Sequence, residues 1–195
     1  IPSVAEVAQT AGVSRATAYR YFPNRSVLVS ALIDEALQPV RSVNAQGADG
    51  LERLHDLFER TYPRFSEYEP HMRAALMMAL EHQSLEAAGL LEEEAFRRGN
   101  RREILRRTAA PLREQLGVRS FERLLRALSL FYGIEPYVVL KDIWGSSNRE
   151  VEAMSRWMLD AVVEKALRDA PARGRRGGPA STAPGGTGSS GRRRC

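Results

Sequence analysis

Through most of this chain apolar residues return at three- and four-residue steps, the period of a helix with one face turned to a core. Leu51, Leu54, Leu57 and Phe58 make one such stripe, and Phe121, Leu124, Leu125 and Leu128 make another. The pattern predicts helices throughout residues 1–170 and an all-α fold. Polar punctuation falls where helices should start. Ser3 with Glu6, and Ser147 with Glu150, spell the Ser-x-x-Glu box in which each side chain satisfies a free backbone N–H of the first turn. Asn24 stands between Pro23 and the run RSVLVSALIDEAL. Gly47–Gly50, Gly99–Asn100, Gly117 and Gly145 predict breaks or weak points. PYVVL, at 136–140, is strand-like in composition but has helical periodicity on both sides, so a helix kinked near Gly133 and Pro136 is expected. No period of 20–50 residues repeats.

The periodicity stops at Pro171. Residues 171–195 are Gly, Pro, Ser, Ala, Thr and Arg, with a final Cys and no large apolar side chain, too little to offset the entropy of ordering. A disordered tail is expected: a solvated extension or, less simply, a nonspecific electrostatic arm for DNA. Three regions follow: 1–38, 39–170 and 171–195.

Composition narrows the class. Hydrophobic residues at 43% and charged ones at 27% suit a water-soluble globular chain. No apolar run approaches the ~18 residues that would span a bilayer, so no membrane role is expected. The single cysteine, Cys195, cannot staple the fold, and a cytoplasmic setting is expected. The net charge of +5 misleads, because six arginines of the tail supply it; residues 1–170 hold 23 basic and 24 acidic groups. Within the first 33 residues, however, Arg15, Arg20 and Arg25 face only Glu6. The position of charge matters more here than its total.

That opening segment reads as two short helices. The first runs from Ser3 through Thr10, with Val4, Val7 and Ala8 inward. Gly12 and Val13 make the turn, Gly12 being free to take a positive φ, and Ser14 caps the second helix. Helix, glycine turn, helix is the unit whose second helix enters a DNA major groove. At about 100° per residue, Arg15, Ala16, Tyr19 and Arg20 share one arc. Ala18 and Phe22 fall opposite, where they are expected to join Val13 in the core. The outward arc carries what a groove requires: an arginine able to donate twice to guanine, a small residue for close approach, and a ring with a hydroxyl. Thr17, Tyr21 and Arg25 flank the arc within reach of phosphates, which set register rather than sequence.

The residues Val7-Ala8, Ala11-Gly12-Val13-Ser14, Thr17, Tyr19, Phe22, Arg25 and Leu28 give this stretch a close resemblance to the DNA-binding region of TetR-type transcriptional repressors. The resemblance covers residues 3–37. It implies base contacts from Arg15, Ala16 and Tyr19, and phosphate contacts from Thr17, Arg20, Tyr21 and Arg25, to which Ser3 is added as a further phosphate contact. Ala18 stands where the family usually has a larger aliphatic residue. Family members also carry a full helix ahead of the motif, expected to cover the apolar side of 26–37 at Leu28 and Leu32; the sequence opens at Ile1-Pro2, so that helix is missing from it.

The resemblance further implies that the body is a helical effector-binding and dimerisation domain. The candidate pocket liners are Tyr62, Phe65, Met72, Leu76, Met77, Leu80, Phe96 and Tyr132, a set that suits a small hydrophobic or aromatic effector. The stripes Leu124, Leu128 and Phe131, and Val151, Met154, Met158 and Val162, are expected to pack against a second copy; the competing reading makes them ordinary core. A homodimer would read the two halves of a palindromic double-stranded DNA operator. Effector binding would favour a conformer whose recognition helices no longer match the half-site spacing, with Pro63 and Pro70 as candidate pivots. An enzyme is the main rival class. His55, His71 and His82 lack metal-ligand spacing, Glu92–Glu94 with Arg97 and Arg98 read as ion pairs on a polar helix, and no phosphate loop or nucleophile elbow appears. Catalytic residues, metal and cofactor are therefore all expected to be none. The second rival is a helical dimer that has lost DNA binding and acts through protein contacts.

Overall fold

Ser3 opens the first helix as its spacing requires. Its hydroxyl accepts the N–H of Glu6, and the Glu6 carboxylate accepts the N–H of Ser3 at 2.7 Å. The computed structural model describes residues 1–41, 44–96 and 101–170. Among them the regular secondary structure is wholly helical: α1 (Val4–Thr10), α2 (Arg15–Tyr21), α3 (Arg25–Arg41), α4 (Gly50–Glu67), α5 (Glu69–Ala87), α6 (Arg101–Thr108), α7 (Leu112–Leu128), α8 (Glu135–Trp144) and α9 (Asn148–Arg168). The expected break at Gly99–Asn100, Arg97 and Arg98, and the tail from 171 lie outside the described residues.

Two hydrophobic clusters hold the ends of the molecule, and a third joins them. The first packs Val4 and Ala8 of α1 and Ala18 of α2 on Leu28 of α3, with Val7 and Phe22 at its margin. The main core fills the body: Leu54, Leu57 and Phe58 of α4, Phe121, Leu124 and Leu128 of α7, and Val151, Leu159 and Val163 of α9. Between them Val29 of α3 packs on Ala75 and Met78 of α5. The α3 helix belongs to all three, because Ala36 and Val40 at its far end are buried in the main core. Its 17 residues pass straight through the boundary expected at position 38.

Local chemistry explains most element ends. The side-chain oxygen of Asn24 accepts the N–H of Val27 at 2.9 Å and starts α3. Asp49 caps α4 by accepting from Leu51 and Glu52. Ser147 and Glu150 close the box that begins α9. Gly117, at φ 71° and ψ 164°, interrupts α7 with a conformation that side-chain-bearing residues avoid, so the helix is two pieces meeting at a corner.

The structure corrects four expectations. The helix expected across Gly133 is two helices: α7 ends at Leu128 and α8 begins at Glu135, with Pro136 in its first turn, where a missing N–H costs nothing. PYVVL is helical, as expected, but starts a new element. Val13 is half exposed in its turn rather than buried with Ala18. Glu92–Glu94 lie in the connection between α5 and α6, not in a helix. Finally, Leu124, Leu128, Phe131 and Val151 are buried inside the protomer's own core, where α7 packs on α9 and α9 on α4, and so are not open to a second copy. An amphipathic helix turns its most apolar stripe to the nearest available core, which here is intramolecular. Of the remaining residues assigned to that interface, Met154 is exposed, while Met158 and Val162 are partly buried against the core.

Candidate nucleic-acid interface and cavity

Gly12 sets the angle between α1 and α2 at φ 68°, and a Cβ there would meet nothing within 4 Å. Its conformation, not crowding, is what favours glycine. Ser14 then caps α2, accepting the N–H of Thr17 at 3.1 Å and pairing with the Thr17 hydroxyl at 2.8 Å. With Ala18 turned inward, the opposite side of a seven-residue helix faces out. Arg15, Ala16, Thr17, Tyr19, Arg20 and Tyr21 are all exposed, Tyr19 at 46% and Tyr21 at 62%. Arg15 has no ion-pair or hydrogen-bond partner among the described residues. Arg20 lies over the Tyr21 ring, 5.0 Å from its centroid, and donates to the Tyr21 hydroxyl at 3.2 Å. Six residues of the expected contact set are therefore exposed on α2.

Ser3 and Arg25 stand apart. The Ser3 hydroxyl and N–H are both committed to Glu6, and those hydrogen bonds hold the Glu6 carboxyl below the ordinary carboxylate range. Arg25, at the start of α3, directs its guanidinium to Glu81 of α5 at 3.4 Å. Beside this pair the Ser26 hydroxyl donates to the Met78 sulfur at 3.6 Å in a buried seam. The head is thus fastened to the body along one face of α3.

The far half of α3 borders a cavity of about 290 Å³. Its wall is apolar: Ile33 and Leu37 of α3, Phe65 of α4, Met72 of α5, Phe96 and Ile104. Its polar lining comes from Arg41, which pairs with Asp34 in one corner, and from Ser30 and Arg101. Of the eight residues expected to line a pocket, Phe65, Met72, Phe96 and Tyr132 do so. Tyr62 is buried in the core, donating its hydroxyl to the Phe131 carbonyl. Leu76 packs on the main core away from the cavity, and Met77 and Leu80 point to solvent on the other side of α5. The hydroxyl of Tyr132 meets that of Thr61 at 3.0 Å, and burial pushes its ionisation up to about 12. Arg41 and Arg101 carry no sign of this role in the sequence, since isolated arginines on helices ordinarily face water.

The three histidines are occupied elsewhere. His55 reaches Asp160 of α9 at 2.7 Å, and His71 lies against the Tyr68 ring. His82 is buried and accepts the N–H of Phe96 at 3.0 Å, which pins the segment after α5 beside the cavity.

Two short helices joined by a glycine turn, with arginines and tyrosines exposed on the second and a larger helical body behind them, are the geometry of a helix-turn-helix unit. Residues 3–32 match the family described as "Bacterial regulatory proteins, tetR family". That match is confined to the two-helix segment and the start of α3, and it supports a DNA-binding transcriptional regulator of the TetR type. No curated protein and no solved structure matches the chain. Among the described residues no helix is long and apolar enough to cross a membrane.

Proposed function

We propose that the protein is a cytoplasmic repressor that binds a palindromic operator as a homodimer and is released when a small hydrophobic effector enters the cavity beside α3. In this reading residues 1–38 form the reading head and residues 39–170 the effector and dimer domain. Arg15, Ala16 and Tyr19 read bases, while Ser3, Thr17, Arg20, Tyr21 and Arg25 hold phosphates. One observation carries it: a single helix, α3, supports the recognition helix through Leu28 at one end and borders the cavity through Ile33, Leu37 and Arg41 at the other. A ligand that favours one placement of α3 thereby favours one placement of the head. Only the difference in its affinity for the two conformers can shift their balance.

The outer faces of α8 and α9 support the dimer. Val139, Ile143 and Trp144 are exposed on α8, and Met154 and Trp157 on α9. The two helices are in contact, and large apolar side chains left in water on neighbouring elements are a mark of an interface.

The test is selection of bound duplexes from a randomised pool on purified protein with no cofactor added. A two-fold consensus with half-site centres about 10 bp apart, or a multiple of that spacing, is expected. Failure to enrich any sequence removes the reading and leaves a helical dimer that acts through protein contacts.

A further inference from the structure

We propose that the effector is an apolar carboxylic acid, bound as its anion by the guanidinium of Arg41; this rests on the cavity being the effector site. The apolar wall excludes sugars and other heavily hydrated molecules, so the polar corner decides what else the ligand must carry. A guanidinium has five N–H donors in a fixed fork. Arg41 gives Nη1 to Asp34, while its Nε is buried and has no hydrogen-bond partner among the described residues. A buried donor left unmade is costly, and such groups in folded proteins have a partner. Arg41 also lines the cavity, so a ligand held there can supply the missing acceptor once the side chain turns toward it.

The charges around the corner favour an anion with a single charge. Arg101 is already compensated: its Nη1 donates to the Ser129 carbonyl at 2.8 Å and its Nη2 to Glu135 at 2.7 Å. Gly133 leaves the room for that pair, since a Cβ there would collide with both side chains. Asp34 is different. Its side chain is 68% exposed against 17% for Arg41, so water competes for its hold on the guanidinium. A ligand carboxylate can accept from the unpartnered Nε, and charge-assisted bonds of this kind are about twice as strong as neutral ones. Both Asp34 and Arg41 sit on α3, so a ligand held by Arg41 acts on the helix that carries the reading head.

The experiment is calorimetric titration of the purified chain at neutral pH with octanoate and 4-phenylbutyrate, each beside its primary amide. The acids are expected to bind about tenfold tighter than the amides. In Arg41→Gln that preference falls to about one, with the amides bound as before. Amides that bind wild-type protein as well as the acids overturn the carboxylate assignment and leave the cavity reading standing. An acid preference that survives in Arg41→Gln overturns Arg41 as its source. Binding of neither acids nor amides overturns the cavity as a site for such molecules. Should Arg41→Gln fail to fold, the acid-to-amide ratio on the wild-type chain still decides.

Discussion

Arg25, at the first residue of α3, meets Glu81 of α5 at 3.4 Å, and both side chains remain about half exposed. A cation assigned to DNA phosphate is thus shared with a carboxylate of the body. Exposed pairs of this kind are worth only about 0.2–1 kcal/mol, so the pair is a competitor for DNA more than a strut. Glu81→Gln should raise DNA affinity about two- to fivefold at low salt and leave the unfolding free energy nearly unchanged. Unchanged or weaker binding in a mobility-shift titration would show that Arg25 does not serve the phosphate backbone.

Arg15→Ala should cost about 1–3 kcal/mol at one base position and little elsewhere. Its freedom from partners among the described residues means that no fold energy is lost with it. Binding to a panel of single-base operator variants reads the difference. Uniform loss across the panel, with the salt slope reduced by about one, would assign Arg15 to a phosphate instead.

Gly12→Ala should destabilise the head by about 1–2 kcal/mol, the cost of holding a Cβ in the left-handed region. Open space around the site leaves no other source for the loss. Urea unfolding measures it, and DNA affinity should fall with it. A neutral substitution would mean that the turn relaxes without its positive φ.

The reading head was legible because its determinants are local. Ser3, Gly12 and Ser14 each act on residues within four positions, so their spacing in the chain already contains the geometry. The cavity and the outer surface depend on which elements meet. Arg41 and Arg101 are 60 positions apart and look like solvated charges until α3 and α6 border one cavity. The strongest late stripe, Leu124 and Leu128, is buried in the protomer's own core, where α7 packs on α9, and the residues left outside fall off that stripe. Periodicity finds which face is buried; it does not say against what.

Acid should loosen the junction of α5 with α8. Glu69 lies between Lys141 at 2.5 Å and Arg73 at 2.9 Å, and Arg73 also grips Asp142 through two bonds of 2.7 Å. Burial works to raise the Glu69 carboxyl, but the two cations outweigh it and hold it below its ordinary value of 4.5. A carboxylate depressed in the folded state stabilises fully above its unfolded value, and that contribution disappears as pH falls through the folded one. The unfolding free energy should therefore drop below about pH 4.5, and Glu69→Gln should be less stable at neutral pH with a shallower acid limb. Parallel pH curves for the two proteins would exclude this network as a source of the acid sensitivity.

The last prediction concerns which apolar residues meet a second copy. Ile143 on α8 is 74% exposed and Trp157 on α9 is 66% exposed, while Leu128 on α7 is wholly buried. If the outer face is the interface, lysine at both Ile143 and Trp157 places like charges across a two-fold axis and leaves the protomer core untouched. Sedimentation should then show a monomer with full helix content by circular dichroism, and operator affinity should fall because one half-site must bind alone. Leu128→Ala should behave oppositely: it opens a cavity in the protomer and costs about 2–5 kcal/mol of stability while the folded fraction stays dimeric. A dimer unaffected by the two lysines, together with one dissociated by Leu128→Ala, would return the interface to the inner stripe and require the body to repack on assembly.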